Sequence, residues 1–98
     1  MTRDDALATL RRLRPSLQVR GVAHAALFGS VARGQATRGS DVDIVVTPSD
    51  GARLDLIDLG GIQTVLDEAF GTDVDVIVEP VRKRELRRAI ERDRANAF

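Results

Sequence analysis

Leu7, Leu10, Leu13 and Leu17 recur at three- and four-residue spacing with arginines on the opposite side, which is the pattern of an amphipathic helix. Thr2 followed three residues later by Asp5 resembles a capping box, and Pro15 discourages continuation, so the pattern predicts a first helix over about residues 3–14. An apolar run from Val22 to Phe28 predicts a first strand, ending at Gly29-Ser30 and the short segment Val31 to Gly34. Residues 35–40 read as a loop, and strict alternation returns from Asp41 to Thr47 as a second strand.

Pro48-Ser49-Asp50-Gly51 is a turn by composition. Beyond it Leu54, Ile57, Ile62, Val65, Leu66, Ala69 and Phe70 fit a long amphipathic helix ending at Gly71. Gly60-Gly61 interrupts that stripe. Each glycine costs roughly 1 kcal/mol against alanine in a helix interior, which leaves three readings: a kink, two shorter helices, or close packing against the sheet. Asp73 to Val78 forms a third strand, followed by Pro80 and a last helix over about residues 81–94 with Leu86, Ala89 and Ile90 inward. Helices alternating with three strands predict an α/β domain in αβαβαβα order, a single domain over residues 1–98.

Composition narrows the function. Fifteen Lys+Arg balance fifteen Asp+Glu and aromatics amount to 3%, so neither a basic field nor a stacking platform speaks for nucleic acid as a direct ligand. The absence of cysteine excludes disulfides and thiolate metal sites. The start Met1-Thr2-Arg3-Asp4-Asp5 is polar and no apolar run approaches a membrane span, which makes the cytoplasm the expected compartment and excludes a membrane partner.

The candidate chemistry lies between the first two strands. A glycine after a strand lets the backbone approach a phosphate closely, and a helix start beyond it offers free N–H donors; Ser30 adds a hydroxyl. The ordinary reading, a turn with Ser30 as an N-cap, carries equal weight for the Gly-Ser pair alone. Ten residues on, Asp41-Val42-Asp43 projects two carboxylates from one face of the strand while Val42, Ile44 and Val46 point to the other. Side-by-side aspartates repel and are poor strand formers, so a compensating charge is needed; a divalent cation is the simplest, arginine partners the plainer alternative. Hard oxygen ligands suit Mg²⁺, which keeps positions for water and substrate phosphates. Thr72-Asp73-Val74-Asp75-Val76-Ile77-Val78 repeats the pattern. Periodicity does not choose between Asp73 and Asp75, but Asp73 lies beside the Gly71-Thr72 turn, whereas Asp75 is flanked by valines and is the better candidate ligand.

Leu27-Phe28-Gly29-Ser30-Val31-Ala32-Arg33-Gly34, Ser40-Asp41-Val42-Asp43-Ile44-Val45-Val46 and Val74-Asp75-Val76-Ile77 together resemble the minimal nucleotidyltransferase (MNT) proteins of the DNA polymerase β-like superfamily. The resemblance runs over nearly the whole chain, into Arg84 to Asp93. It implies a mixed sheet of three or more strands with helices mainly on one side, and metal-dependent transfer of a nucleoside monophosphate, usually from ATP. It further implies an antitoxin acting beside a HEPN-family ribonuclease toxin, in a homo- or hetero-oligomer. On this resemblance Gly29 and Ser30 hold the triphosphate, Asp41, Asp43 and Asp75 bind Mg²⁺, expected as two ions, and Asp75 also orients or deprotonates the acceptor hydroxyl. Arg33 fits the family's Ala-Arg-Gly and is a candidate phosphate contact, weighed against a solvated arginine capping the short segment.

The expected reaction is transfer of AMP to a toxin hydroxyl, with tyrosine as the expected acceptor and pyrophosphate released. Two alternatives stand beside it: an antitoxin that only binds and occludes its toxin, and a small-molecule nucleotidyltransferase. His24 is expected to be a partly buried, hydrogen-bonded strand residue sharing a face with Val22, Ala26 and Phe28. Asp55, Asp58, Asp67 and Glu68 are expected to be surface charges of the long helix, and Arg82-Lys83-Arg84 with Arg87-Arg88 a solvated helix face.

Overall fold

The computed structural model describes residues 1–37 and 41–98, so the end of the predicted loop, at 38–40, lies outside the described residues. Thr2 caps α1 (Arg3–Arg12), its hydroxyl oxygen accepting from the Asp5 N–H at 3.1 Å. Asp4 and Asp5 in the first turn and Arg11 and Arg12 in the last complement the helix dipole. Pro15 begins a helix instead of blocking one: it opens α2 (Arg14–Val19), where the missing N–H would have had no intrahelical acceptor. The predicted first helix ends before Pro15, as α1, and α2 is a further helix beyond it that buries Leu17.

The chain continues through β1 (Val22–Phe28), α3 (Gly29–Ala32), β2 (Val42–Pro48), α4 (Leu56–Phe70), β3 (Val74–Val78), α5 (Arg84–Asp93) and β4 (Ala95–Asn96). The sheet order is β3-β2-β1-β4. β1 runs antiparallel to both β2 and β4, while β2 and β3 are parallel neighbours joined across α4. The two-residue β4 escapes any periodicity argument. It is held by pairing with Ala26 and Leu27, and the tail beyond it by Phe98 lying under Arg14, 5.6 Å from guanidinium to ring centre.

Helices cover mainly one side of this mixed sheet, as expected. Ala6, Leu7 and Leu10 of α1, Leu17 of α2, and Ile62, Leu66 and Phe70 of α4 pack on Val22, Leu27, Ile44 and Val46. The opposite face carries α5, whose Ile90 and Leu86 cover Ala26, Phe28, Val45 and Ile77. One side chain departs from the alternation read in the sequence. A register shift between Val22 and His24 puts an extra residue in β1, so Val22 joins the first face with Ala25 while His24 is exposed on the second with Ala26 and Phe28. His24 is thus neither partly buried nor on the Val22 face.

α4 runs unbroken through Gly60 and Gly61. Of the three readings left open, close packing holds at Gly61, against an arginine and not the sheet: an added Cβ would lie 2.5 Å from Arg20 Nη1. Asp55 and Asp58 are not mere surface charges but the two halves of a capping box, each side chain accepting from the other's backbone N–H at 2.8 and 3.0 Å. Asp67 is likewise structural: its Oδ1 accepts from Val74 N and Gln63 Nε2, both at 3.0 Å, and Gln63 also donates to Val74 O. This clamp fixes where β3 begins, and hence the height of Asp75 against β2.

Gly60 faces open space, with nothing within 4 Å of an added Cβ. Gly60→Ala is expected to stabilise the chain by about 0.5–1 kcal/mol, read as a rise of several degrees in Tm. A fall in Tm would show that α4 needs a glycine there for a reason other than space.

Candidate active site

The parallel register pairs Asp43 directly with Asp75, Val42 with Val74 and Val45 with Ile77. Since Val42, Ile44 and Val46 point into the helix-covered core, Asp43 and Asp75 both project on the α5 side. Phe28 stands opposite Asp43 on β1, so the Gly29 turn arrives beside the same carboxylates. Phe28, Asp43, Asp75, Ile77 and Leu86 border an open cleft of about 400 Å³. Asp41 precedes β2 and is exposed, Asp43 is half-buried, and Asp75 is exposed on the edge strand. Asp73, the other half of the choice left open by periodicity, lies before β3 and outside the Asp43 pairing.

Asp43 is the electrostatic centre of this corner. Burial, the charge of Asp75, a hydrogen bond with the Asp75 carboxyl and the charge of Asp41 push its pKa up from 3.8 to about 6, against an opposing pull from Arg33. Asp43 therefore keeps its proton at mildly acid pH, and above about pH 6 its charge faces that of its neighbours, which is the condition that a hard divalent cation relieves. Among the described residues no three acidic or histidine side chains already converge as a finished cage; Asp43 and Asp75 form the coupled pair and Asp41 stands at its margin. The donor set is all carboxylate oxygen, which fits Mg²⁺.

Gly29 has φ +75°, and a Cβ there would overlap Asp43 Oδ2 and lie 3.1 Å from its Cγ. Glycine is required on both counts, conformation and space. Ser30 is the second residue of α3, and its carbonyl accepts from Gln35 N at 2.9 Å. α3 has only four residues, so what it offers an anion is its unpaired N–H groups and not the dipole of a long helix. Arg33 caps α3 and is no free surface arginine: Nε donates to Gln35 Oε1 at 3.0 Å and Nη1 to Asp93 Oδ2 at 2.6 Å. Asp93 was not among the residues singled out from the sequence, although it follows Leu86, Ala89 and Ile90 at helical spacing on the inward stripe. That spacing was the available signal for a buried carboxylate.

At the far end of the α5 face lies a second hollow, of about 500 Å³. Three of its polar side chains are joined there: Thr47 Oγ1 donates to Glu79 Oε1 at 2.9 Å, and Arg94 pairs with the same oxygen.

A small mixed sheet holding in-register carboxylates beside a glycine-serine turn defines a nucleotidyl-transfer class of protein. Residues 10–96 match the family described as "Nucleotidyltransferase domain", and the chain belongs to that family. It is 39% identical over 67 residues, covering 68% of this chain and 70% of the relative, to a Methanocaldococcus jannaschii protein named as a candidate protein adenylyltransferase. Among solved structures it is similar to one described as a minimal nucleotidyltransferase, with TM-score 0.69 and 30% identity over 97% of this chain and 95% of that one. It also shares its fold, with TM-score 0.70 and 18% identity over 99% of this chain and 72% of the other, with a chain in the complex of a tri-AMPylated Shewanella oneidensis HEPN toxin with an MNT antitoxin. The protein is a nucleotidyltransferase. No helix among the described residues is long and apolar enough to cross a membrane.

The Asp43 shift carries a sign that can be measured. Its folded pKa lies above its unfolded value, so between about pH 4 and pH 6 the native chain binds more protons, and stability falls as pH rises through that window. In chelator, Asp43→Asn is expected to raise stability at pH 7.5 by about 1 kcal/mol after allowing for solvent screening, and to change it little at pH 4.5. Equal destabilisation at both values would make Asp43 an ordinary structural carboxylate. Gly29→Ala is expected to displace the Asp43 side chain and lower transfer activity by about a hundredfold or more, since a shift of about 1 Å at a reacting centre costs that much; near-normal turnover by that variant would contradict the close approach.

Proposed function

We propose that this chain is the antitoxin of a HEPN/MNT pair, a single minimal nucleotidyltransferase domain over residues 1–98. It transfers AMP from ATP to a hydroxyl, a tyrosine in this proposal, on its toxin partner. The observation that carries the reading is the in-register pair Asp43 and Asp75 on parallel strands, with Asp41 at its margin and Gly29 packed against it. The adenylyltransferase name borne by the M. jannaschii relative, and the AMP groups on the S. oneidensis toxin in the complex that shares this fold, support AMP as the transferred group and a HEPN toxin as acceptor.

In this proposal Asp41, Asp43 and Asp75 hold Mg²⁺, as two ions, in the cytoplasm of the host cell. When bound, Mg²⁺ neutralises phosphate charge and polarises the phosphoryl oxygens. The chain's own contributions are position and electrostatics. Gly29 lets the Phe28–Ser30 backbone come close to the carboxylates, so that the Gly29-Ser30 turn meets the triphosphate. Arg33 offers a cation on the same side. Asp75, exposed on the edge strand, is open to an acceptor hydroxyl brought by a partner and takes its proton as the oxygen bonds to the α-phosphorus. The bond from the α-phosphorus to its bridging oxygen breaks, and pyrophosphate leaves. A partner's side chain is the natural acceptor because an edge-strand carboxylate beside an open cleft does not enclose a small molecule.

The test is intact-mass analysis of the partner toxin after incubation with this chain, ATP and Mg²⁺. Increments of one or more AMP groups are expected, lost when Asp41 or Asp43 is changed to Asn and lost in excess chelator. A toxin that is inhibited but unmodified would replace transfer with occlusion.

A further inference from the structure

We propose that Asp93 is a positioning residue of the nucleotide site: its sealed carboxylate fixes the Arg33 guanidinium beside the Asp43–Asp75 corner so that it meets a phosphate oxygen of the bound nucleotide. The inference rests on the nucleotidyl-transfer reading above and adds to it a residue sixty positions from the arginine it serves.

The Asp93 side chain is only 3% exposed, at the C-terminal end of α5. A carboxylate so far from water persists only when it is charge-paired and hydrogen-bonded. Asp93 Oδ2 accepts from Arg33 Nη1 at 2.6 Å and from Arg92 Nη2 at 3.3 Å, and Oδ1 accepts from Arg92 Nε at 3.0 Å. The hydrogen bond from Arg92 and then that from Arg33 hold its pKa below the ordinary carboxylate range.

The charge count gives this cluster its use. Arg92 grips Asp93 through two nitrogens and is itself 69% exposed, so a single carboxylate serves two guanidinium groups and one positive charge is left over. Arg33 is the inner of the two, 38% exposed, and it caps α3, whose first residue Gly29 packs against the Asp43 carboxyl. Gln35 fixes Nε while Asp93 fixes Nη1, so the guanidinium plane is set from two sides. A planar cation held at two nitrogens loses little freedom when a phosphate oxygen arrives.

The experiment is a double-mutant cycle read as the Kd for Mg-ATP by calorimetry, with Tm recorded for each variant and exposed Arg88→Gln on the same helix as the control. Asp93→Asn and Arg33→Gln are each expected to weaken Mg-ATP binding about tenfold, and the double variant to bind within twofold of Arg33→Gln alone. Binding by Asp93→Asn equal to the wild type, or losses that multiply in the double variant, would overturn the positioning role. If Asp93→Asn does not fold, Asp93→Glu takes its place, keeping the charge but moving it by one methylene. A several-fold weaker Kd at wild-type Tm is then expected, and an unchanged Kd overturns the role. Failure of the wild type to bind Mg-ATP would remove the nucleotide site, and this proposal with it, whereas wild-type binding that is insensitive to Asp93 removes only the proposal.

Discussion

Two carboxylates paired across parallel strands are the constraint around which this small fold is arranged. Asp43 and Asp75 sit directly opposite each other, and burial together with the charge of Asp75 lifts the Asp43 pKa to about 6. Such a pairing disfavours the sheet at neutral pH and persists because the rest of the register leaves no choice. Val42, Ile44 and Val46 on β2 are buried in the larger core with Val74 on β3, and sliding β3 by one residue would turn Val74 and Val76 away from that core. The apolar half of each strand therefore holds the acidic half in an unfavourable arrangement that a cation can relieve. That is the usual relation between a stable scaffold and a binding site.

Neighbouring elements serve this corner in distinct ways. The Asp67–Gln63 clamp sets where β3 starts, and so which residue of the Thr72–Val78 segment faces Asp43. Gly29 makes room for the Asp43 carboxyl in the turn that leads away from β1. α5, alone on its face, brings Leu86 to the edge of the cleft and Asp93 to Arg33. The open shape of the site follows from having α5 as the one helix on that side among the described residues, and it suits an acceptor carried on another macromolecule.

A local signal in this chain misleads where it has two physical outcomes. Pro15 reads as a stop, and α1 does end before it, but the same ring is tolerated in a first turn, and packing of Leu17 adds a second helix there. Gly60-Gly61 lowers helix propensity, yet the Asp55–Asp58 capping box and the buried Ile62, Leu66 and Phe70 carry α4 through. Strict alternation puts His24 on the Val22 face, and a single inserted residue at the bulge reverses this.

What the chain alone determined was chemical and periodic: two-residue alternation pairing Asp41 with Asp43 and Asp73 with Asp75 on one face of their segments, a glycine-serine turn at a fixed spacing, and amphipathic stripes giving the α/β order. Alternation is a property of one strand, so it survives without neighbours. Which strands meet, that Asp75 and not Asp73 faces Asp43, that Asp93 closes on Arg33, and that two residues near the end form β4, are relations between segments far apart in the chain. Only burial of a shared core selects among them, because each contact is worth making only once the others have excluded water.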